Sequence, residues 1–135
     1  MAAFLKLIGS AENPCPEPYR KNYVDFSRNP RQVKPGDHLV LYAAGGRKRV
    51  FALAEVVSGV YDAGSDYDGR WPYRVDVRYR VNVHASEGVH INEVSTPERD
   101  LLRSVRRQSY IRLNPEEYER AVAKLREVAG SGKSE

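Results

Sequence analysis

The sequence predicts a small α+β barrel-like sheet, and three observations predict it. His38–Ala43 (HLVLYA) and Val50–Ser58 (VFALAEVVS) are apolar runs joined across Gly45-Gly46, the pattern of a hairpin central to a sheet. Tyr73–Val83 (YRVDVRYRVNV) alternates strictly, with Tyr73, Val75, Val77, Tyr79, Val81 and Val83 on one face and charged residues on the other. The last third carries two helix-start signals with a short strand between them. The sum is five to six short strands, mostly antiparallel by their short turns, with two or three flanking helices.

In chain order, Ala3–Ile8 (AFLKLI) reads as a first strand, from which Lys6 alternates outward, ended by Gly9-Ser10. Residues 11–33 have no clean period. Pro14, Pro16 and Pro18 exclude a helix before Pro18, and a short helical segment over Tyr19–Ser27 is left open. Lys34-Pro35-Gly36-Asp37 is a type II turn signal that launches the His38 strand. The loop Gly59–Pro72 is polar and glycine-rich, and Val89–Val94 is a further strand candidate. Thr96-Pro97 reads as a cap followed by proline at the first helical position, opening a basic helix to Arg107. After the strand Tyr110–Leu113, Asn114 and Glu117 have capping-box spacing. The helix that follows places Tyr118, Ala121, Val122, Leu125 and Val128 on one face and is ended by Gly130. The domain is expected over residues 1–130, with 131–135 a flexible tail.

A length of 135 residues makes one domain the default, and 41% apolar with 30% charged residues is enough to bury one core. Mean hydropathy is −0.63. No run approaches the ~20 apolar residues of a membrane span, and Lys6 interrupts an apolar start that lacks a basic leader. The reading is therefore a cytoplasmic protein with no membrane partner, expected as a monomer. Twenty-two Lys+Arg against 18 Asp+Glu leave +4, a modest pointer to a polyanion. Cys15 stands alone, which excludes an internal disulfide and a multi-cysteine metal site.

No metal site is read. His38, His84 and His90 match no zinc spacing, and the calcium-like run Asp62–Gly69 has Gly64 at the first ligand position. No cofactor or catalytic motif is read either: P-loop, G-x-G-x-x-G and G-x-S-x-G are absent, and Cys15 has neither a base nor a cation beside it. Glu55, on an apolar strand, is either on the solvent side or purposeful.

The aromatic residues carry more information. Trp71 sits in a loop beside Pro72 and Tyr73, Tyr19 and Tyr23 follow the first strand, and Tyr42 lies near the end of the second. Such rings either plug the sheet ends or stack on a planar ligand, at about 1–3 kcal/mol per base. Basic residues interleave with them: Arg47, Lys48 and Arg49 at the hairpin, Arg70 and Arg74 around Trp71, and Arg103, Arg106 and Arg107 on the short helix. Rings and arginines on the same loops are the footprint of a nucleic-acid groove.

The run PGDHLVLYAAGGRKRVFALAEVVSGVYD followed by RWPYRVDVRY resembles the EVE domain, a PUA-like family related to YTH and ASCH domains. LIGSAENP, Tyr19–Tyr23 ahead of Gly36-Asp37, Ala52–Val57, Trp71–Val77 and Gln108–Tyr118 follow the family's order over nearly the whole chain. The usual K-S-E-P start with a nearby Trp is replaced here by G-S-A-E-N-P. The resemblance implies a PUA-like pseudobarrel whose pocket accepts a flipped, often modified nucleobase of DNA or RNA, without catalysis. Carried over by position, Ser10 and Asn13 close that pocket, Asn22 and Tyr23 contact the base edge, and Trp71 is a ring wall. Tyr42, Tyr73 and Tyr19 are further ring candidates, Ser109 and Tyr110 form the closing segment, and the arginine clusters hold phosphates. An ASCH-like hydrolase of a modified pyrimidine nucleoside, with Lys6 and Glu12 as its nearest pair, is the competing reading, beside an RNA-binding regulator and a bare protein-interaction domain.

Overall fold

The computed structural model describes residues 1–9, 15, 19–44, 48–62, 73–97, 99–108 and 110–131, with backbone only for 106–108 and 131. Eight strands form one mixed, curled sheet: β1 (Ala3–Ile8), β2 (Tyr23–Phe26), β3 (His38–Ala43), β4 (Arg49–Val56), β5 (Tyr61–Asp62), β6 (Tyr73–Asn82), β7 (Val89–His90) and β8 (Tyr110–Arg112). The order is β2-β6-β4-β3-β1-β8, with β5 on β6 and β7 on β4. Helices α1 (Leu101–Gln108) and α2 (Pro115–Ser131) complete an α+β half-barrel. Among the described residues no helix is long and apolar enough to cross a membrane.

The predicted hairpin is the centre of the sheet: β3 pairs antiparallel with β4, and β4 with β6. The exception to antiparallel pairing is β1, which runs parallel to β3 from Ala3 opposite His38 to Ile8 opposite Ala43. Asp37 anchors this pair. Its carboxylate accepts the backbone N–H groups of Ala2 and Lys34, each at 2.9 Å, and its carbonyl accepts that of Val56.

The strand β4 is irregular on both flanks, between Leu41 and Tyr42 of its β3 pairing and between Leu53 and Ala54 of its β6 pairing. Such bulges bend a sheet and add twist. They also break the strict alternation expected of Tyr73–Val83: Val81 packs with the helix-side core, while Tyr73, Tyr79 and Val83 pack with the enclosed one. The enclosed core includes Phe4, Val24, Phe26, Leu39, Phe51 and Val75; the other sets Leu5, Val40 and Leu53 against Leu101, Val105, Ala121 and Leu125 of the helices.

Local expectations were corrected in five places. The segment left open as a helix over Tyr19–Ser27 holds β2, whose Val24 and Phe26 alternate inward against β6. The described residues hold eight strands rather than five or six, because two-residue strands such as β5 and β7 carry no periodicity, and Ile91–Glu93 turns as a 3-10 helix. The helix expected from Thr96 starts instead at Leu101. Asp100 is its cap, its Oδ1 accepting from the Arg103 N–H at 3.4 Å, while Thr96 bridges Arg99. Gly130 lies within α2 rather than ending it. Lys6 points inward, only 1% exposed, on the same side of β1 as Phe4 and Ile8.

The capping box at α2 is formed: Asn114 Oδ1 accepts from Glu117 N–H at 2.8 Å, and Glu117 Oε1 accepts from Asn114 N–H at 2.9 Å. Arg99 donates to the same buried carboxylate. At Gly88 a Cβ would stand 2.2 Å from the Val50 carbonyl oxygen, a backbone atom that cannot step aside. Gly88→Ala is therefore expected to lower stability by about 1–3 kcal/mol in urea denaturation; an unchanged midpoint would show that β4 and β7 tolerate separation.

Candidate functional site

The two ends of the hydrogen-bonded path, β2 and β8, meet through side chains. Phe26, opposite Tyr73 in the β2–β6 register, sets its ring 5.2 Å from that of Tyr110 at 86°, and Tyr110 lies 6.1 Å from Phe4 at 62°. Phe4 and Phe26 are buried, whereas Tyr73 and Tyr110 are half-buried at the rim of the enclosed core. This seam is an aromatic floor with two polar-edged rings at its border.

Beneath it lies Lys6, the register partner of Tyr110. Its Nζ donates to the Leu7 carbonyl at 2.7 Å and lies 5.1 Å from the Phe26 ring centre. Burial brings the ammonium down to about 7, against an opposing pull from Asp25. A lysine on an apolar strand is ordinarily solvated, and its face could have been read from the β1 pattern: it shares the i, i+2 set of Phe4 and Ile8.

On the outer face of β2 and β6, Arg74 sits 4.1 Å over the Tyr23 ring and its Nε donates to Asp25 at 2.7 Å. Tyr61 donates its hydroxyl to Asp76 at 2.7 Å. Farther along this face Glu55 accepts from Arg78 and Arg80 at 3.1 and 2.8 Å, which holds its carboxyl below the usual range and settles it toward solvent.

The residues singled out from sequence fall into separate groups. Tyr73 and Tyr110 reach the seam, and Tyr23 flanks it across β2. Tyr19 is packed into the enclosed core, its hydroxyl donating to the Tyr23 carbonyl and its ring 6.0 Å from Phe51. Burial pushes that phenol up. Tyr42 is buried in the helix-side core, so the sheet itself separates it from Tyr73 and Tyr110, and it cannot wall the same pocket. Asn22 is exposed and contributes its backbone carbonyl to the Val77 N–H. Arg74, expected on phosphate, is committed to Asp25 and Tyr23, its side chain 18% exposed. Arg49 donates to the Gly88 carbonyl at 2.8 Å, whereas Lys48 and Arg103 are exposed. Ser10, Asn13, Arg47, Arg70, Trp71 and Ser109 lie outside the described residues, as do the side chains of Arg106 and Arg107.

Other polar features lie elsewhere. A surface cavity of about 470 Å³ at the start of α1 is lined by residues including Ser95, Thr96, Arg99 and Arg120, and the Thr96 hydroxyl is buried there without a hydrogen bond. Among the described residues no three metal-ligating side chains converge.

A family model for the EVE domain matches residues 22–124. Solved structures share the architecture. A protein from Rhodopseudomonas palustris superposes with a TM-score of 0.60 at 16% identity, covering 97% of this chain and 94% of that one. One from Agrobacterium tumefaciens gives 0.56 at 20% identity, over 98% and 94% of the two chains. A tyrosine-to-phenylalanine mutant of an ASCH protein from Zymomonas mobilis gives 0.53 at 12% identity, over 90% and 96%. The half-barrel is thus a PUA-like α+β pseudobarrel. No curated protein matches the chain.

Lys6 has a measurable signature. An unfolded lysine titrates near 10.4, so between about 7 and 10 the unfolded chain binds a proton that the folded chain does not, and stability rises with pH. Below about 7 both states are protonated and the slope vanishes. Lys6→Met is expected to be more stable than wild type near neutrality, with the gap closing by about 1 kcal/mol per pH unit toward pH 10. Urea titrations across that range test this, and parallel pH curves for the two proteins would refute it.

Proposed function

The chain belongs to the EVE domain family, whose members commonly bind nucleic acid, and we propose that it is a non-enzymatic reader taking an extruded, modified nucleobase at the aromatic seam. The observation that carries this reading is the pair of half-buried rings, Tyr73 and Tyr110, set over the buried Phe4 and Phe26. Extruding a base costs a few kcal/mol of unstacking, and stacking on aromatic side chains returns about 1–3 kcal/mol per base. Trp71, adjoining Tyr73 through Pro72, supplies a further ring in this proposal. Lys48 and Arg103, exposed, hold phosphates together with Arg47, Arg70, Arg106 and Arg107. The reader acts as a monomer on DNA or RNA containing the modified base.

The competing reading is an ASCH-like hydrolase, which needs an available lysine beside a carboxylate. Among the described residues the carboxylate acting on Lys6 is Asp25, which also accepts from Arg74, while Glu12 lies outside the described residues. One experiment separates the two: titration of oligonucleotides with and without modified bases at low salt, followed by analysis of the products. The reader binds a modified base preferentially and leaves it intact; turnover would establish the hydrolase, and no binding at low salt would remove both. Tyr110→Ala and Trp71→Ala are each expected to lose about tenfold in discrimination between bases, since one stacking contact is removed. Arg103→Ala should weaken binding to all sequences alike, by a few-fold, and flatten the salt dependence. Because Trp71 is the one tryptophan of the chain, its fluorescence should quench as a base binds, and an unchanged emission at saturation would count against its place in the site.

A further inference from the structure

Lys6 is an anomaly in AFLKLI. A methionine or leucine would fill the same interior position without desolvating an ammonium, and local rules broken at such cost mark functional sites. The charge lies one strand from Tyr110 in register, and beneath Phe26, whose ring touches Tyr110.

We propose that Lys6 is the specificity-determining residue of the seam and makes it selective for a nucleobase carrying an anionic substituent, a carboxylated pyrimidine being the simplest. This rests on the base-reading function proposed above. The physical basis is screening. A cation enclosed in the protein acts on a stacked base through side chains rather than through water, where its field would be damped several-fold. Among the described residues, Asp25 on β2 acts on its charge and Tyr110 on β8 is its register partner. The Asp25 carboxylate, which also pairs with Arg74 at 2.7 Å, pulls the ammonium upward against the effect of burial. An anion seated at the seam favours the protonated lysine, and binding is therefore linked to proton uptake near neutral pH.

The test uses the full chain and three oligonucleotides identical except at one cytosine: unmodified, 5-methylated (neutral) and 5-carboxylated (anionic). Fluorescence anisotropy is read at about pH 6 and about pH 8.5, either side of the Lys6 transition. Wild type is expected to prefer the carboxylated base over the methylated one by about tenfold at the lower pH, with the preference shrinking at the higher. Lys6→Met and Lys6→Gln should bind both modified oligonucleotides equally at either pH. Calorimetry in buffers of different ionisation enthalpy should show proton uptake by wild type on the carboxylated oligonucleotide and none by Lys6→Met. No anionic preference in wild type, or a preference that survives either substitution, overturns the assignment of Lys6. If neither modified oligonucleotide is bound better than the unmodified one, it is the base-reading function that fails.

Discussion

The constraint on which the molecule turns is closure of a sheet whose outermost strands do not follow one another in its hydrogen-bonded path. β2 and β8 end that path, and an open edge is a liability for any sheet. Here the irregularities on both flanks of β4 bend the sheet until Phe26 and Tyr110 meet. Without that contact the enclosed core would have a wet flank, and the rings at the seam would have no floor. Lys6 is buried by the same closure, so the stability of the core and the electrostatics of the candidate site are set by one geometric event.

A second tie holds the opposite side of the sheet. Asp37 gathers the start of β1, the Lys34 turn and the end of β4 around one side chain and its carbonyl, fixing the parallel pair β1–β3 in register. The Arg99–Glu117–Asn114 group does the same for α2. The polar interactions that define this fold are thus short-range clamps at element ends. The outer face of β2, β4 and β6 carries a row in which three arginines, Arg74, Arg78 and Arg80, pair with two carboxylates, Asp25 and Glu55.

Much of the fold was legible because it rests on local signals. The bounds of β1 and β3, the β3–β4 hairpin and the capping box of α2 each follow from periodicity or turn chemistry within a dozen residues. What escaped rests on long-range pairing. β2 is four residues long and becomes a strand because β6 receives it; the shift of Val81 to the helix side depends on a bulge; Asp100 rather than Thr96 caps α1 because Thr96 is drawn into a bridge with Arg99. The site was legible in part. Tyr73 and Tyr110 reach the seam, but Tyr42 is turned to the other face of the sheet, Arg74 pairs with Asp25, and Lys6 faces inward against the outward alternation expected of it. A single side chain pointing inward against its own chemistry is invisible to a pattern that assigns charged residues to solvent.

The placement of β1 also bears on how the chain is made. Leu5 lies between Val40 and Ile111, so one flank of β1 stays open until more than a hundred further residues have been synthesised. At ~5–20 residues per second that delay is on the order of ten seconds, during which an apolar strand is exposed on the nascent chain. In that interval Lys6 is solvated and fully charged, a gatekeeper that interrupts an otherwise aggregation-prone run. The ammonium that burdens the finished barrel thus protects the unfinished one.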